Sequence, residues 1–208
     1  MPTDVEQRLM DGLAQLGLRP DPALTGALMQ FLALLQKWNR AYNLTSIDDL
    51  NDMAVRHILD SATARPFLLG DSVLDAGTGA GVPGIPLALL DPGRQFILVD
   101  SVGKKIRFLR QVVAELAIPN VELAQARLET FKPVRRLDTV ICRALTTLQE
   151  FTQLCGRLVG PAGRLVAMKG RYPADEVNDV LAPWRVTDVK RVIVPGLDAE
   201  RHLVVIER

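Results

Sequence analysis

Ser72-Val73-Leu74-Asp75-Ala76-Gly77-Thr78-Gly79-Ala80-Gly81-Val82-Pro83-Gly84 compresses a strand, a glycine-dense turn and the start of a helix into one stretch of a 208-residue chain. Gly77, Gly79 and Gly81 permit positive φ and let backbone N–H groups approach a ligand where a Cβ would collide. Downstream, Phe96-Ile97-Leu98-Val99 runs into Asp100. A carboxylate at the tip of that second strand is placed to accept hydrogen bonds from both hydroxyls of a ribose. A glycine turn followed by an acidic strand end implies a cofactor containing adenosine.

Working outward, short apolar runs recur at Val73-Leu74, Phe96 to Val99, Val121 to Leu123, Thr139 to Ile141 and Leu165 to Met168. The segments between them carry helical spacing, as at Ile106, Leu109, Val112, Val113 and Leu116, which is the pattern of βαβ units around a parallel sheet. The chain closes with two β-rich stretches, Val186 to Val194 and Leu203 to Ile206, joined around Pro195-Gly196-Leu197-Asp198. That connection is too short for a crossover helix, so the pair reads as an antiparallel hairpin. Before Gly70 the chain is helical. Thr3 and Glu6 have capping-box spacing, and Asp21-Pro22 supplies an N-cap followed by proline at the first helical position. Leu24, Leu28, Phe31, Leu32, Leu35, Trp38 and Tyr42 then form one apolar stripe, and Ser46 with Asp49 can start a further helix through Met53 and His57. The expected fold is α/β and Rossmann-like: a doubly wound, mostly parallel sheet with an antiparallel C-terminal hairpin, plus an N-terminal helical extension. Residues 1–66 form the helical region and residues 67–208 the Rossmann-like domain.

Two cofactor classes fit the glycine spacing. Gly79-Ala80-Gly81-Val82-Pro83-Gly84 matches the G-x-G-x-x-G pattern of dinucleotide sites. Asp75 argues the other way, because a pyrophosphate in that turn would meet a negative charge whereas a sulfonium or an ammonium group would not be repelled. Asp-x-Gly-x-Gly-x-Gly suits S-adenosylmethionine better, and the terminal hairpin resembles the sheet of class I S-adenosylmethionine-dependent methyltransferases.

Composition narrows the field further. With 48% apolar and 24% charged residues the chain is neither disordered nor collagen-like, and its apolar runs are far shorter than a membrane span. MPTDVEQRLMDG lacks the regions of a signal peptide, so a cytoplasmic location is expected. Cys142 and Cys155 have no ligand-spaced partners and read as reduced core thiols; no metal is expected. Between residues 101 and 143, nine Lys and Arg face four Asp and Glu. Lys104, Lys105, Arg107, Arg110, Arg127, Lys132, Arg135, Arg136 and Arg143 can face a polyanion or form solvated helix faces and loops.

Trp38-Asn39 with Asn43-Leu44-Thr45, His57-Ile58-Leu59-Asp60-Ser61, Asp75 to Pro86, Asp100-Ser101 with Lys104-Lys105, Arg127-Leu128-Glu129 and Arg143-Ala144 together resemble the glucose-inhibited division protein B family, the bacterial ribosomal RNA small-subunit methyltransferases G. The resemblance covers nearly the whole chain. It implies S-adenosylmethionine-dependent methylation of guanine N7 in the decoding-region loop of 16S rRNA, with 16S rRNA or the small ribosomal subunit as partner; a monomer is expected, although the sequence carries no signal of oligomeric state. Matched residue by residue, Gly77 and Val82 belong to the cofactor loop, Leu128 and Glu129 lie beside the adenine, and Arg143 is an arginine of the site; Asp75, Gly79, Asp100 and Ser101 complete the expected cofactor set. Val82 stands where many relatives have phenylalanine, and Leu128 where alanine is common.

Guanine N7 has an in-plane lone pair and no proton, so its methylation requires positioning and no general base. Arg143, Lys169 and Asn39 are the positioning candidates. Arg143 is expected to meet the methionine carboxylate or an RNA phosphate, with a structural ion pair as the alternative. Lys169 either holds RNA or belongs to an ordinary basic loop. Asn39 and Asn43 read first as helix-end caps and second as base-edge contacts. His57 reads as a structural histidine, Asp60 as a local cap or pair, and Trp38 and Tyr42 as core. Rival activities lack their signals: Cys142 is not in a Pro-Cys pair for cytosine C5 chemistry, and no Asn/Asp-Pro-Pro-aromatic tetrapeptide follows the fourth strand. A nicotinamide oxidoreductase leaves Asp75 and the hairpin unexplained. A catalytically silent RNA-binding or ribosome-assembly factor remains the alternative.

Overall fold

The structure, a computed structural model, describes residues 3–208. Helix α1, Asp4–Gln15, opens with the expected capping box: the Glu6 N–H donates to Thr3 Oγ1 (3.2 Å) and the Thr3 N–H to Glu6 Oε2 (3.4 Å). Helix α2, Pro22–Tyr42, starts on Asp21, whose carboxylate accepts the Leu24 N–H at 2.7 Å, and stops at Asn43 in the left-handed region. A third helical run follows as α3 (Leu50–Met53), a π turn (Ala54–Leu59) and α4 (Asp60–Ala62). Asp49, not Ser46, caps it, accepting the Asp52 N–H at 3.0 Å.

Seven strands then build a single sheet: β1 (Ser72–Ala76), β2 (Gln95–Asp100), β3 (Val121–Gln125), β4 (Leu137–Arg143), β5 (Val159–Lys169), β6 (Arg185–Val192) and β7 (Arg201–Glu207). Their order is β3-β2-β1-β4-β5-β7-β6; β1 to β5 pair in parallel, and β7 runs antiparallel between β5 and β6. The crossovers carry α5 (Gly84–Leu90), α6 (Gly103–Glu115) and α7 (Leu148–Cys155), with short α8 (Ala174–Val177) after β5. Strand β5 begins earlier than its apolar run indicates. It shifts register against β4 between Leu137 and Thr139, and a Cβ at Gly163 would meet the Leu137 and Asp138 carbonyls at 2.8 and 2.7 Å.

Alternation along the strands divides the core in two. Val73, Phe96, Leu98, Ile141, Val166 and Leu203 face α1, α2, α5, α6 and the π turn. Leu74, Val99, Val140, Leu165, Val204 and Ile206 face α7 and Trp184 on the other side, and both cysteines are buried in this second core. The change of secondary structure near residue 66 is not a break in packing. Leu9, Phe31 and Leu35 belong to the same apolar cluster as Val73 and Ile141. Phe31 and Trp38 of α2 lie 6.4 and 5.6 Å, centroid to centroid, from Phe108 of α6, and Tyr42 stacks on Trp38 at 5.0 Å.

The two tryptophans report on opposite faces of the sheet. Urea unfolding of Trp38→Phe and Trp184→Phe, each followed by its remaining tryptophan, is expected to give coincident midpoints once each substitution's own stability change is calibrated by far-UV circular dichroism. Phe31→Ala should lower stability by about 3–5 kcal/mol in a single transition. A separate early transition seen only through Trp38 would show that the helical region unfolds by itself.

Candidate active site

The glycine turn lies at the C-terminal end of β1. Gly77, Gly79 and Gly81 have φ of 69°, 60° and 84°, so the backbone uses the freedom that glycine provides. A Cβ on Gly77 would come within 2.6 Å of Leu145 Cδ1. Asp75 stands beneath the turn and is buried. Its Oδ2 accepts the Thr78 hydroxyl (2.6 Å) and the Gly84 N–H (2.8 Å), fastening the turn to the first residue of α5, while Oδ1 has no protein partner. Burial pushes its carboxyl from 3.8 up to about 6, against the pull of those two hydrogen bonds.

Asp100, at the end of β2, has a different surrounding. Its Oδ2 accepts the Gly79 N–H (3.0 Å) and faces the Lys105 ammonium (3.2 Å), and its Oδ1 accepts the Val102 N–H (2.9 Å). The expectation of a carboxylate open to two ribose hydroxyls therefore needs correction. A carboxylate has about four acceptor positions, so one hydroxyl fits beside these three donors and the second requires Lys105 to swing away. Lys105 sits at the rim with its side chain partly exposed.

A hollow of about 370 Å³ opens between the turn and the ends of β2 and β4. That volume suits a nucleoside-sized ligand. Gly77, Asp100, Ser101, Leu128 and Glu129 line it, together with Val99, Val102, Lys105, Ala126, Arg127, Ala144, Leu145 and Leu154. Apolar walls suit a flat purine, and the carboxylates of Asp100 and Glu129 suit hydroxyl or amino donors. Asp75, Gly79 and Val82 do not line the hollow: Asp75 and Val82 are buried behind the turn, Val82 donating its N–H to the Thr78 carbonyl at 3.1 Å, and Gly79 is part of the turn with its N–H on Asp100. The Leu128 carbonyl already accepts from Arg157.

A second hollow of about 360 Å³ adjoins the first through Ala144, which has φ of 50°. Asp60, Arg143, Met168, Lys169, Gly170 and Arg201 form its walls. Arg143 is found here with protein partners: Nη1 donates to the Arg56 carbonyl (2.7 Å) and to Asp60 Oδ2 (3.3 Å), and Nη2 lies 3.4 Å from His57 Nδ1. Burial, helped by Arg143, pulls His57 from 6.5 down to about 4, so the imidazole is neutral at pH 7. A proton on Nε2, facing Thr45 Oγ1 at 3.1 Å, leaves Nδ1 free to accept from Arg143. Lys169 is bound to Glu176 and to the Thr146 carbonyl. Asn39 lies outside both hollows: it donates to Asp48 Oδ1 (2.7 Å) and accepts the Thr45 N–H (2.8 Å), clamping the loop after α2, while Asn43 caps that helix. Neither asparagine presents a base-reading edge to the two hollows.

The basic block is dispersed by the fold. Lys105 and Arg127 border the first hollow, Lys104 donates to the Tyr42 carbonyl at 2.8 Å, and Arg107 and Arg110 are exposed on α6. Lys132, Arg135 and Arg136 precede β4, at the opposite end of the sheet from Arg143 and roughly 20 Å away along the strand. Sequence reasoning missed Leu145 and Leu154, which carry no chemical signal, and Arg201, whose neighbours in space are distant in sequence. Among the described residues no three His, Cys, Asp or Glu side chains gather as a metal site, and no helix is long and apolar enough to cross a membrane.

A sheet in this order, with a glycine turn after its first strand and an acid ending its second, defines the Rossmann-like fold of class I S-adenosylmethionine-dependent methyltransferases. Solved structures share it: a SAM dependent methyltransferase from Aquifex aeolicus (TM-score 0.59, 19% identity, 80% of this chain and 97% of that one) and precorrin-6y C5,15-methyltransferase from Geobacter metallireducens (0.54, 17%, 80% and 90%). The family model for GidB, rRNA small subunit methyltransferase G, matches residues 25–204. Proteins called ribosomal RNA small subunit methyltransferase G are 45% identical in Stenotrophomonas maltophilia strain K279a (99% of this chain, 96% of the relative) and 47% identical in Escherichia fergusonii (86% and 87%). The chain belongs to the rRNA small subunit methyltransferase G family, as its sequence blocks led us to expect.

His57 and Asp75 make opposing contributions to acid stability. His57 binds protons more weakly in the fold, so its contribution is present above pH 6.5 and is lost as pH falls towards 4. Asp75 binds protons more strongly in the fold, so its contribution is present below pH 3.8 and is lost as pH rises through 6. In Asp75→Asn the His57 contribution is left unopposed, and the unfolding free energy should rise more steeply with pH between 4 and 6 than in the parent. Urea titrations at two pH values inside that window check the slope; an unchanged slope would contradict the assignment.

Proposed function

We propose that this protein transfers the methyl group of S-adenosylmethionine to N7 of a guanine in 16S rRNA, with the small ribosomal subunit as its substrate particle. Support comes from one arrangement above all: a nucleoside-sized hollow at the glycine turn meets, at Ala144, a second hollow walled by Arg143, Lys169 and Arg201. The names of its relatives point to small-subunit rRNA. In this reading the helices of residues 1–66 and the sheet-bearing residues 67–208 act as one catalytic unit, as a monomer in the bacterial cytoplasm.

The first hollow fits S-adenosylmethionine. A Cβ at Gly77 would intrude on it, Asp100 and Lys105 stand where the ribose would lie, and Val99, Val102 and Leu128 offer apolar walls for the adenine. When bound, this cofactor supplies a methyl carbon that is electrophilic because it sits on a sulfonium. Bound beside the guanine, it would let the N7 lone pair form the N–C bond as the S–C bond broke, with S-adenosylhomocysteine as leaving group. No proton is removed from N7, so the chain's residues need only orient the base and exclude water. The buried, neutral His57 fits this economy: its ring holds Arg143 and Thr45 and is not required as a base. Asp60, facing both arginines of the second hollow, offsets part of their charge there.

The direct test combines labelled S-adenosylmethionine with small subunits from cells lacking this methylation, followed by nuclease digestion. Label is expected in 7-methylguanosine at one position. Cofactor binding without incorporation would favour a silent assembly factor instead. In Gly77→Ala the strained left-handed backbone, a cost of about 1–2 kcal/mol, and the contact with Leu145 should reduce S-adenosylhomocysteine affinity at least about tenfold by calorimetry. Unchanged affinity would remove the ligand from this turn.

A further inference from the structure

The three cations of the second hollow differ in how their donors are used. Lys169 makes bonds to the Thr146 carbonyl (3.0 Å) and to Glu176 Oε1 (3.0 Å) and Oε2 (2.7 Å), which uses all three of its N–H groups. Arg143 turns back onto the helical segment, towards the Arg56 carbonyl, Asp60 and His57. Arg201, the first residue of β7, donates through Nε to Asp60 Oδ1 (3.1 Å) and through Nη1 to the Glu200 carbonyl (2.8 Å). Its Nη2 has no partner among the described residues, and its side chain is 21% exposed on the wall of the hollow. Among the described residues Arg143 keeps two N–H groups without a partner, Nε–H and one on Nη2, whereas Arg201 keeps three, one on Nη1 and both on Nη2, so Arg201 is the cation with the most donors available.

Asp60 fixes where that edge points. Its carboxylate is buried and gives one oxygen to each arginine, Oδ2 to Arg143 and Oδ1 to Arg201. The π turn Ala54–Leu59 immediately precedes Asp60, and the Arg56 carbonyl within it is the one that accepts from Arg143. A π turn adds one residue to a helical turn and recurs at functional sites. An arginine held at Nε loses rotamer freedom before any ligand arrives, which reduces the entropic cost of binding.

We infer that Arg201, aimed by Asp60, grips an acceptor oxygen of the target nucleotide, and that Arg143 and Lys169 serve to build the hollow. This rests on the methyl-transfer reading above. Guanine carries O6 beside N7, and phosphate oxygens flank every nucleotide; a phosphate can take two guanidinium N–H groups, and O6 can accept from Nη2 with N7 left free. N7 itself must stay unbonded because its lone pair forms the new bond. Contact at O6 would also discriminate against adenine, whose amino group at that position would set a donor against a donor.

The full chain and its Arg201→Ala, Arg201→Lys and Asp60→Asn variants are compared on small ribosomal subunits. Transfer kinetics, equilibrium binding of the subunit, S-adenosylhomocysteine affinity and thermal unfolding are each measured. Arg201→Ala is expected to lower kcat/KM about ten- to hundredfold, with cofactor affinity within twofold of the parent. Arg201→Lys keeps a cation beside Asp60 and should fold like the parent, yet lose a similar factor because it lacks the fork; Asp60→Asn should lose less. A salt series separates the two oxygen sources. A slope reduced by about one in Arg201→Ala identifies a phosphate, whereas an unchanged slope identifies the base edge. Folded Arg201 variants whose kcat/KM and subunit binding both match the parent would overturn the proposal. If the parent itself transfers no methyl group, the function reading fails separately, and subunit binding alone decides the role of Arg201.

Discussion

Two carboxylates fasten the glycine turn on which the site is built. Between Gly77 and Gly81 the chain passes through three left-handed glycines that contribute no side-chain packing, and its backbone bonds are few: the Thr78 N–H donates to the Val99 carbonyl, and the Gly81 and Val82 N–H groups donate to the Thr78 carbonyl. Asp75 binds the far end of the turn from below, through Thr78 and the first N–H of α5, and Asp100 binds its middle from the side, through Gly79. The turn is thereby fastened to β1 and β2 at once. The hollow beside it is the space these two strands leave at their C-terminal ends, and its shape depends on both attachments. Asp75 is kept as a buried acid with one oxygen unpartnered, an arrangement stabilised by packing and opposed by solvation.

The second hollow works by a different balance. It gathers three cations on the walls of one cavity, where they repel one another. Asp60 and Glu176 resolve the conflict by pairing with them from within the wall. His57 contributes by remaining uncharged: at about 4 its imidazole adds no further positive charge at pH 7 and can accept from Arg143. Charge neutralisation and side-chain orientation are the same interactions here, because the carboxylate that offsets each cation also fixes where it points.

The N-terminal helices owe their role to these contacts as much as to the core they cover. Phe31 and Trp38 join α2 to α6 through apolar and aromatic packing. Asp60, Arg56 and His57 then carry that helical region into the site, reaching Arg143 at the end of β4 and Arg201 at the start of β7. A helical appendage with a merely protective function would not need a buried carboxylate shared between two strands of the sheet.

The alternation of short apolar runs with helical spacing was enough to place five parallel strands and a closing hairpin, because period-2 and period-3.6 burial are local properties of the chain. The caps at Thr3 and Asp21 were legible for the same reason: each is an interaction across three residues. The glycine turn and the acid ending β2 identified the cofactor end of the sheet, since left-handed backbone and strand termini leave a residue-type signature. Sequence could not tell which of those residues line the hollow. Asp75 and Val82 stand in the motif yet lie behind the turn, whereas Leu145 and Leu154 lie outside it and line the hollow. Nor could it show that Arg135 and Arg136 fall at the opposite end of β4 from Arg143, or that Asp60 meets Arg201 across the whole length of the sheet-bearing region. A chain's local pattern fixes which elements form and which way they point; which side chains share a cavity is decided by how those elements pack, because a contact between residues so far apart in sequence exists only after the sheet has closed.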